Sequence, residues 1–534
     1  MKCCTRVRKV KSKGALLVLL WNFLVQATVF SPFTLYFYSI YSQDLDSSLV
    51  TALLQLTTLI LFLPLFGWLA DVYFGRYKVM RVGLCLMWTC STFIAMVMVV
   101  EYPTKIHYGL LLPLYFIAYC GFATFLANSI PFGTDQILDG SADEISAFVF
   151  WYVGTWCTGG WVGYVLPNVI FIYTNPDASA RALFQHILTV VLLSVALCLD
   201  YLCRDCLVIE PKSQNPLKTV TNVLKYAATH KYPSNRSALT YCEESLPSRI
   251  DLGKSKYGGP FTTEQVEDVK TFLRITAVTA CIGVVHATGT SLSLPIHLSH
   301  FHMPDHLSKC SKAVAAAGYN WTLIATLSIT IYEFLVYPIY RNRMPSILQR
   351  AGLGAATVTL LGLVLLTTDS VGHANAKVPC MFTANETSEV FNGTSAVLDI
   401  SYLWVDVPGN VLTGLQHALF FTAIIEFICA QSPYSMKGLI IGLMWSLILI
   451  FLIVAVLLTE AWSLGWEKPF SSPSCGTVYY LFATLLSVGG LAVYVAVARW
   501  YKRRERDEPA NQQAIVEDIY DRYVKNRVYS TSSV

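Results

Sequence analysis

Apolar residues in this chain come in long runs separated by short polar turns, and the runs recur from one end to the other. A transmembrane helix needs roughly 20 mostly apolar residues, and a run of about 18 or more with few charges reads as a span. By that rule the pattern predicts about twelve spans, near 15–41, 49–74, 79–100, 108–131, 147–173, 181–203, 271–297, 317–340, 348–369, 403–431, 438–461 and 477–500. The expected fold is an all-α membrane protein. The even count brings both termini to the same side.

Composition agrees: the 534 residues are 54% hydrophobic and 13% charged, with a mean hydropathy of +0.50. A chain of that kind cannot present a water-facing surface of ordinary charge density, so lipid is its main solvent. Lys and Arg are retained in cytoplasmic loops close to spans. Here they gather in the tail at Lys2, Arg6, Arg8, Lys9, Lys11 and Lys13, then at Arg76, Lys78 and Arg81, at Arg341, Arg343 and Arg350, and at Arg499 to Arg506. Both termini are therefore expected in the cytoplasm, and the net charge of +4 reflects this bias and makes no case for nucleic acid. The first apolar run is too long for a cleaved signal peptide and reads as a span.

The spans divide into two groups of six around a polar stretch. The predicted organisation is a tail 1–14, a six-helix half 15–203, a cytoplasmic loop 204–270, a second half 271–500 and a tail 501–534. Two such halves with a solute site between them is the architecture of secondary transporters. On the opposite side, loop 370–402 carries the sequons Asn385-Glu386-Thr387 and Asn392-Gly393-Thr394, so glycosylation is expected at Asn385 and Asn392. Cys310, Cys380 and Cys475 lie in loops on that side, where a disulfide persists, with Cys380 and Cys475 the preferred pair. Cys3 and Cys4 are either palmitoylated or free thiols, and Ser532-Ser533-Val534 has the form of a short PDZ-domain ligand.

Three stretches carry a resemblance. Gly67-Trp-Leu-Ala-Asp71-Val-Tyr-Phe-Gly75-Arg76-Tyr-Lys78 is a charged turn between two spans. Pro131-Phe-Gly133-Thr-Asp135-Gln136 runs on through an acidic loop to Phe148, Trp151, Tyr152 and Gly159. Val407-Pro408 leads through Glu426-Phe427 to Gln431-Ser-Pro-Tyr434-Ser-Met-Lys437. In order and spacing they resemble the proton-coupled oligopeptide transporter (peptide/nitrate transporter) family of the major facilitator superfamily. The resemblance implies two six-helix halves, alternating access, proton coupling and a cytoplasmic gate at Gly67, Asp71, Gly75 and Arg76. Asp71 is also placed to meet the N-terminal end of a helix starting near Gly438. Departures are equally informative: the family's Glu-x-x-Glu-Arg of span 1 is Val18 to Asn22 here, its span 4 lysine Leu126, its span 7 acid Thr290 and its span 5 Asn Cys157. Peptide recognition through those groups does not carry over.

The remaining candidates are intramembrane polar groups, which are costly unless they face water or a partner. Glu426 aligns with the family's span 10 acid and is the first candidate for proton coupling, with Glu333 and His286 beside it. His417 lies nine residues before Glu426, which on a regular α-helix puts it on the opposite face. Thr276, Thr279, Gly283, His286, Thr290 and Ser293 form one polar face of span 7, either lining an aqueous path or serving as a packing seam. Thr322, Thr326, Thr330 and Glu333 share a face of span 8. Asn22 and Gln26, one turn apart in span 1, either contact solute or bridge helices. With Trp151, Tyr152, Thr290 and Ser293 they are the solute-pathway candidates.

No phosphate-binding Gly-rich loop with its Lys-Ser/Thr ending and no His-Glu-x-x-His is present, so the reading is not an enzyme, with no cofactor and no metal. The expected function is a secondary transporter of a small polar organic solute, an oligopeptide or amino-acid-like molecule, driven by protons and set in the plasma or an endolysosomal membrane. The alternatives are a facilitative carrier without proton coupling and a transporter-shaped receptor or scaffold.

Overall fold

In the computed structural model the described residues are 8–41, 45–100, 105–137, 141–174, 178–209, 215–230, 247–299, 320–374, 407–461 and 477–501. Asn385, Asn392, Cys380, Cys475, the Cys3-Cys4 pair and Ser532 to Val534 lie outside them.

The chain is a succession of long helices: α1 Lys13–Tyr41, α2 Leu45–Leu69, α3 Arg76–Val100, α4 Lys105–Asp135, α5 Ala142–Thr174 and α6 Ala178–Leu202, then the shorter α7 Pro216–Thr229. There follow α8 Thr263–Ser299, α9 Asn320–Ile331, α10 Ile347–Ala374, α11 over Val407–Gln431, α12 Lys437–Ala461 and α13 Thr477–Trp500. Among the described residues 10 helices are long and apolar enough to cross a bilayer. Span 7 of the sequence corresponds to α8, which begins at Thr263, inside the stretch expected as loop. Outward faces carry Leu61, Phe93, Val99, Leu485 and Val493, while Trp21, Phe125, Phe148, Tyr152, Phe420 and Tyr494 are packed inside. Helices apolar on every face are what lipid contact on one side and packing on the other require. The protein is multi-pass and membrane-embedded.

The packing of α2 against α12 shows how local sequence sets helix contact. Pro64 cannot donate to the carbonyl of Ile60, and an unpaired carbonyl in a bilayer is expensive. The hydroxyl of Ser446 on α12 donates to that Ile60 oxygen at 2.8 Å. Nearer the end of the pair, Gly67 faces Gly438 so closely that a Cβ on Gly67 would lie 2.2 Å from the Gly438 carbonyl oxygen.

The end of the bundle where α2 finishes and α12 begins also carries the linker between α6 and α8, and is called here the linker end. Asn215 caps α7, accepting from the amides of Leu217 and Lys218, and its side chain also accepts from the indole of Trp68 at the end of α2. Proline at the first helical position and an apolar stripe of Val220, Val223 and Ala227 complete α7. Gln136 clips the linker's start by exchanging two hydrogen bonds with the backbone of Val208. Closer to α8, Asp251 accepts from Ser248 and is paired with Lys254, at 2.7 Å, and with Lys270. Burial pushes the Asp251 carboxyl up, but hydrogen bonds from Lys254, Lys270 and Ser248 outweigh it and hold the group well below the usual carboxylate range.

A side chain at Gly67 has only backbone to push against, so Gly67→Val should destabilise the purified protein by about 1–3 kcal/mol, read as a lower Tm. Gly489→Ala, where an added Cβ meets nothing within 4 Å, should leave Tm equal or higher. Because the folded Asp251 pKa is depressed, its contribution is present above the unfolded value, about 3.9, and is lost as pH falls through the folded one. Protease cleavage within 247–262 should therefore stay slow from neutral pH to about pH 4, whereas Asp251→Asn should speed it at pH 7.

Candidate functional site

At the linker end three stretches far apart in sequence converge on one guanidinium. Gly75 adopts φ +86°, a left-handed conformation natural to glycine, and ends the π turn Ala70–Phe74 so that α3 restarts at Arg76. The Arg76 side chain then reaches Asp71 at 2.8 Å, both oxygens of Asp135 at 2.8 and 2.6 Å, and the Tyr434 carbonyl at 3.2 Å. The second oxygen of Asp71 accepts the Leu439 amide at 3.1 Å, in the first turn of α12. A carboxylate there satisfies an orphan helix donor and meets the positive end of the helix dipole. Gly67, Asp71, Gly75 and Arg76 are thus brought together with Asp135 of the second signature stretch and Tyr434 of the third. The fork geometry of arginine makes this three-way clasp specific.

A second charged network lies alongside. Glu426 is not a lone carboxylate: it pairs with Arg350 on α10 at 2.6 Å and accepts from Ser146 on α5 at 2.7 Å. Ser146 in turn accepts from Arg8, which precedes α1, and Arg8 pairs with Glu333. The chain of contacts therefore runs Arg350, Glu426, Ser146, Arg8, Glu333, with two cations balancing two anions. Beside it Asp143, in the first turn of α5, accepts from the Tyr337 hydroxyl at 3.0 Å and from Arg341 at 2.6 Å. The Arg341–Asp143 pair is half exposed, whereas Arg350–Glu426 and Arg8–Glu333 are desolvated, and removing one partner of a desolvated pair costs about 3–5 kcal/mol.

Some ten residues further along α5, roughly 15 Å at 1.5 Å per residue, Trp156 meets an aromatic cluster. Its ring lies 5.9 Å from Phe421, 6.3 Å from His417, 6.3 Å from Trp321 and 6.4 Å from Trp445. His417 donates through Nδ1 to the Thr413 carbonyl at 2.9 Å, which leaves Nε2 as the acceptor. His286 sits edge-on to His417 at 5.8 Å, and its Nδ1 is buried without a hydrogen-bond partner. His286 thus belongs to the aromatic cluster, against His417 and Phe421. Thr290 bonds back to the His286 carbonyl and Ser293 to that of Thr290. Their helix face packs as a seam at Gly283, where a Cβ would lie 2.3 Å from Phe451 of α12.

Asn22 and Gln26 face α5. Asn22 donates to the Tyr152 carbonyl at 2.9 Å and to Thr155 at 3.0 Å, and Gln26 donates to Asn22 while its own Oε1 has no partner. Both are fully buried. Tyr152 is buried with its hydroxyl against Ser129 at 2.7 Å, and Trp151 packs edge-on against Phe334. These four residues tie α1, α4, α5 and the stretch after α9 together.

Turns of π-helix at Ala70–Phe74, Tyr332–Val336 and His417–Phe421 each hold one of the polar groups just described: Asp71, Glu333 and His417. Such bulges recur at functional sites because one extra residue in a turn re-aims a side chain. His417 and Glu426 both meet α5, at Trp156 and at Ser146, ten residues apart along that helix. Arg8, Ser146 and Arg350 had no signal as site residues, since in sequence two are topology-setting charges and the third an ordinary serine.

No family model matches the chain. Mouse "Solute carrier family 15 member 3" is 23% identical over 572 residues, covering 95% of this chain and 94% of that protein. "Protein NRT1/ PTR FAMILY 7.3" of Arabidopsis thaliana is 24% identical over 269 residues, 48% of this chain and 42% of that protein. The solved structure of the POT family transporter PepTSo superposes with a TM-score of 0.63 at 16% identity, over 92% of this chain and 98% of that one. The chain is a divergent homologue of the solute carrier family 15 and NRT1/PTR proteins, with the major facilitator fold.

Proposed function

We propose that the protein is a secondary transporter that moves a small polar organic solute, an oligopeptide or amino-acid-like molecule, by alternating access, coupled to protons. The observation that carries this reading is Glu426, a carboxylate held between Arg350 and Ser146 at the junction of α5, α10 and α11. While ionised it keeps those helices together. Protonation removes the charge that Arg350 needs, weakens both contacts and lets the linker end part, so proton entry and gate opening are linked through one atom group. Glu333 is a second group of the same kind.

The basic residues at the linker end support assigning that end to the cytoplasm, with both termini there. In that orientation the Arg76 clasp, the Arg350–Glu426 pair and the Asp143–Arg341 pair close the inner side, and the solute enters from the opposite one. Solute recognition is assigned to the Trp156, Trp321, Trp445 and His417 cluster deeper in the bundle. Flat aromatic faces and a neutral histidine acceptor suit an organic solute with a few hydrogen-bond donors. Asn22 and Gln26 act as struts behind that cluster. The plasma membrane and an endolysosomal membrane both fit.

Uptake should be measured in vesicles carrying the protein, with and without an inward proton gradient, across peptides, amino acids and nitrate. A gradient should accelerate uptake of one of these solutes about tenfold or more, the scale of a 1.4 kcal/mol coupling. Glu426→Gln should flatten the pH dependence of that uptake to within about twofold while the protein still inserts. Flux insensitive to the gradient means a facilitative carrier, and no flux for any solute from correctly inserted protein favours the scaffold.

A further inference from the structure

Arg8 belongs to the tail that precedes α1, yet it is among the most enclosed charges in the molecule: its side chain is 5% exposed and that of its partner Glu333 0%. The guanidinium lies 3.9 Å from the centre of the Tyr337 ring, 5.0 Å from Phe150 and 5.8 Å from Tyr332. It pairs with Glu333 in the π turn after α9 and donates to Ser146 on α5. Three and four residues on, the amides of Lys11 and Ser12 both donate to one oxygen of Glu144, at 2.7 and 3.2 Å. Between these anchors Lys9 and Lys11 point outward and are exposed. A tail held by general basicity would pair its lysines too. Among residues 8–12, the planar fork of Arg8, flanked by aromatic faces and matched to a carboxylate, is the side-chain charge taken up.

We infer that the linker end contains a guanidinium receptor, built by Glu333, Ser146, Tyr337 and Phe150, and that residues 8–12 occupy it as a latch on the inner gate. The mechanical reason is where the two anchors stand. Glu144 and Ser146 are on α5, which packs against α1, so the tail remains with α5 whatever the gate does. Glu333 and Tyr337 belong to the stretch that continues α9. Parting α5 from α9 therefore has to pull Arg8 out of its carboxylate and its aromatic sleeve, while the Glu144 contacts survive. The latch strengthens the closed inner side, and a free basic peptide bearing the same arginine can take the vacated place. This deepens the transport reading, on which its consequence for flux rests, but the receptor is measurable without any solute.

The test is hydrogen–deuterium exchange on the full-length protein in lipid nanodiscs, comparing wild type with Arg8→Gln. Loss of the latch should raise exchange about tenfold or more in residues 8–16 and at the gate segments 141–147 and 337–343. A synthetic peptide of residues 5–14 added in trans to Arg8→Gln should restore protection at the gate segments, and the same peptide with glutamine in place of its Arg8 should not. Lys9→Gln combined with Lys11→Gln should match wild type. Unchanged gate exchange in Arg8→Gln overturns the inference. So does an equal rise in the double lysine variant, which would mean that diffuse charge holds the tail. If Arg8→Gln does not fold, Arg8→Lys, which keeps the charge and loses the fork, should give an intermediate rise, and a wild-type pattern there overturns the specific receptor. Failure of the uptake screen would sink the transport reading and leave these outcomes intact.

Discussion

Every charge carried into the bundle must be neutralised where it sits, and much of the tertiary structure at the linker end follows from that requirement. A unit pair at 4 Å is worth about 4 kcal/mol at the effective dielectric of a protein boundary, and an abandoned partner costs a similar amount. Arg76 holds Asp71 and Asp135, Arg350 holds Glu426, and Arg8 holds Glu333. All but the local Arg76–Asp71 pair join segments distant in sequence, so satisfying the charges and assembling the helices are one process. A charged network made this way is strong when complete and sensitive to the loss of any single charge.

The same economy governs the backbone. A bilayer offers no water to an unpaired carbonyl, so Pro64 on α2 is matched by the hydroxyl of Ser446 on α12, and the free amide at the start of α12 by Asp71. The π turns are a further local departure from regular helix, and they re-aim Asp71, Glu333 and His417. Irregularity is concentrated where polar groups have to meet.

Where the family resemblance implies charges on span 1, the chain has Val18 to Asn22, and the structure uses Asn22 as a strut to α5. Cations reach the two carboxylates from elsewhere, Arg8 from the tail and Arg350 from α10. Both carboxylates are thus neutralised by cations that lie outside span 1. That is why Arg8 and Arg350 read in sequence only as topology signals.

The sequence by itself determined the all-α membrane architecture, because the length and apolarity of each run leave lipid no other solution; it marked Glu426 as a charge inside a span, and the family resemblance marked Gly67, Asp71, Gly75 and Arg76. Only the tertiary structure decided their partners. Asp135, Tyr434, Ser146, Arg350 and Arg8 lie from tens to hundreds of residues away from the groups they serve, and no local pattern encodes such a pairing. The π turns that hold Asp71, Glu333 and His417 are likewise invisible to a regular period of 3.6. Helices are local objects and can be read locally, whereas neutralising a buried charge is a property of what the fold brings next to it.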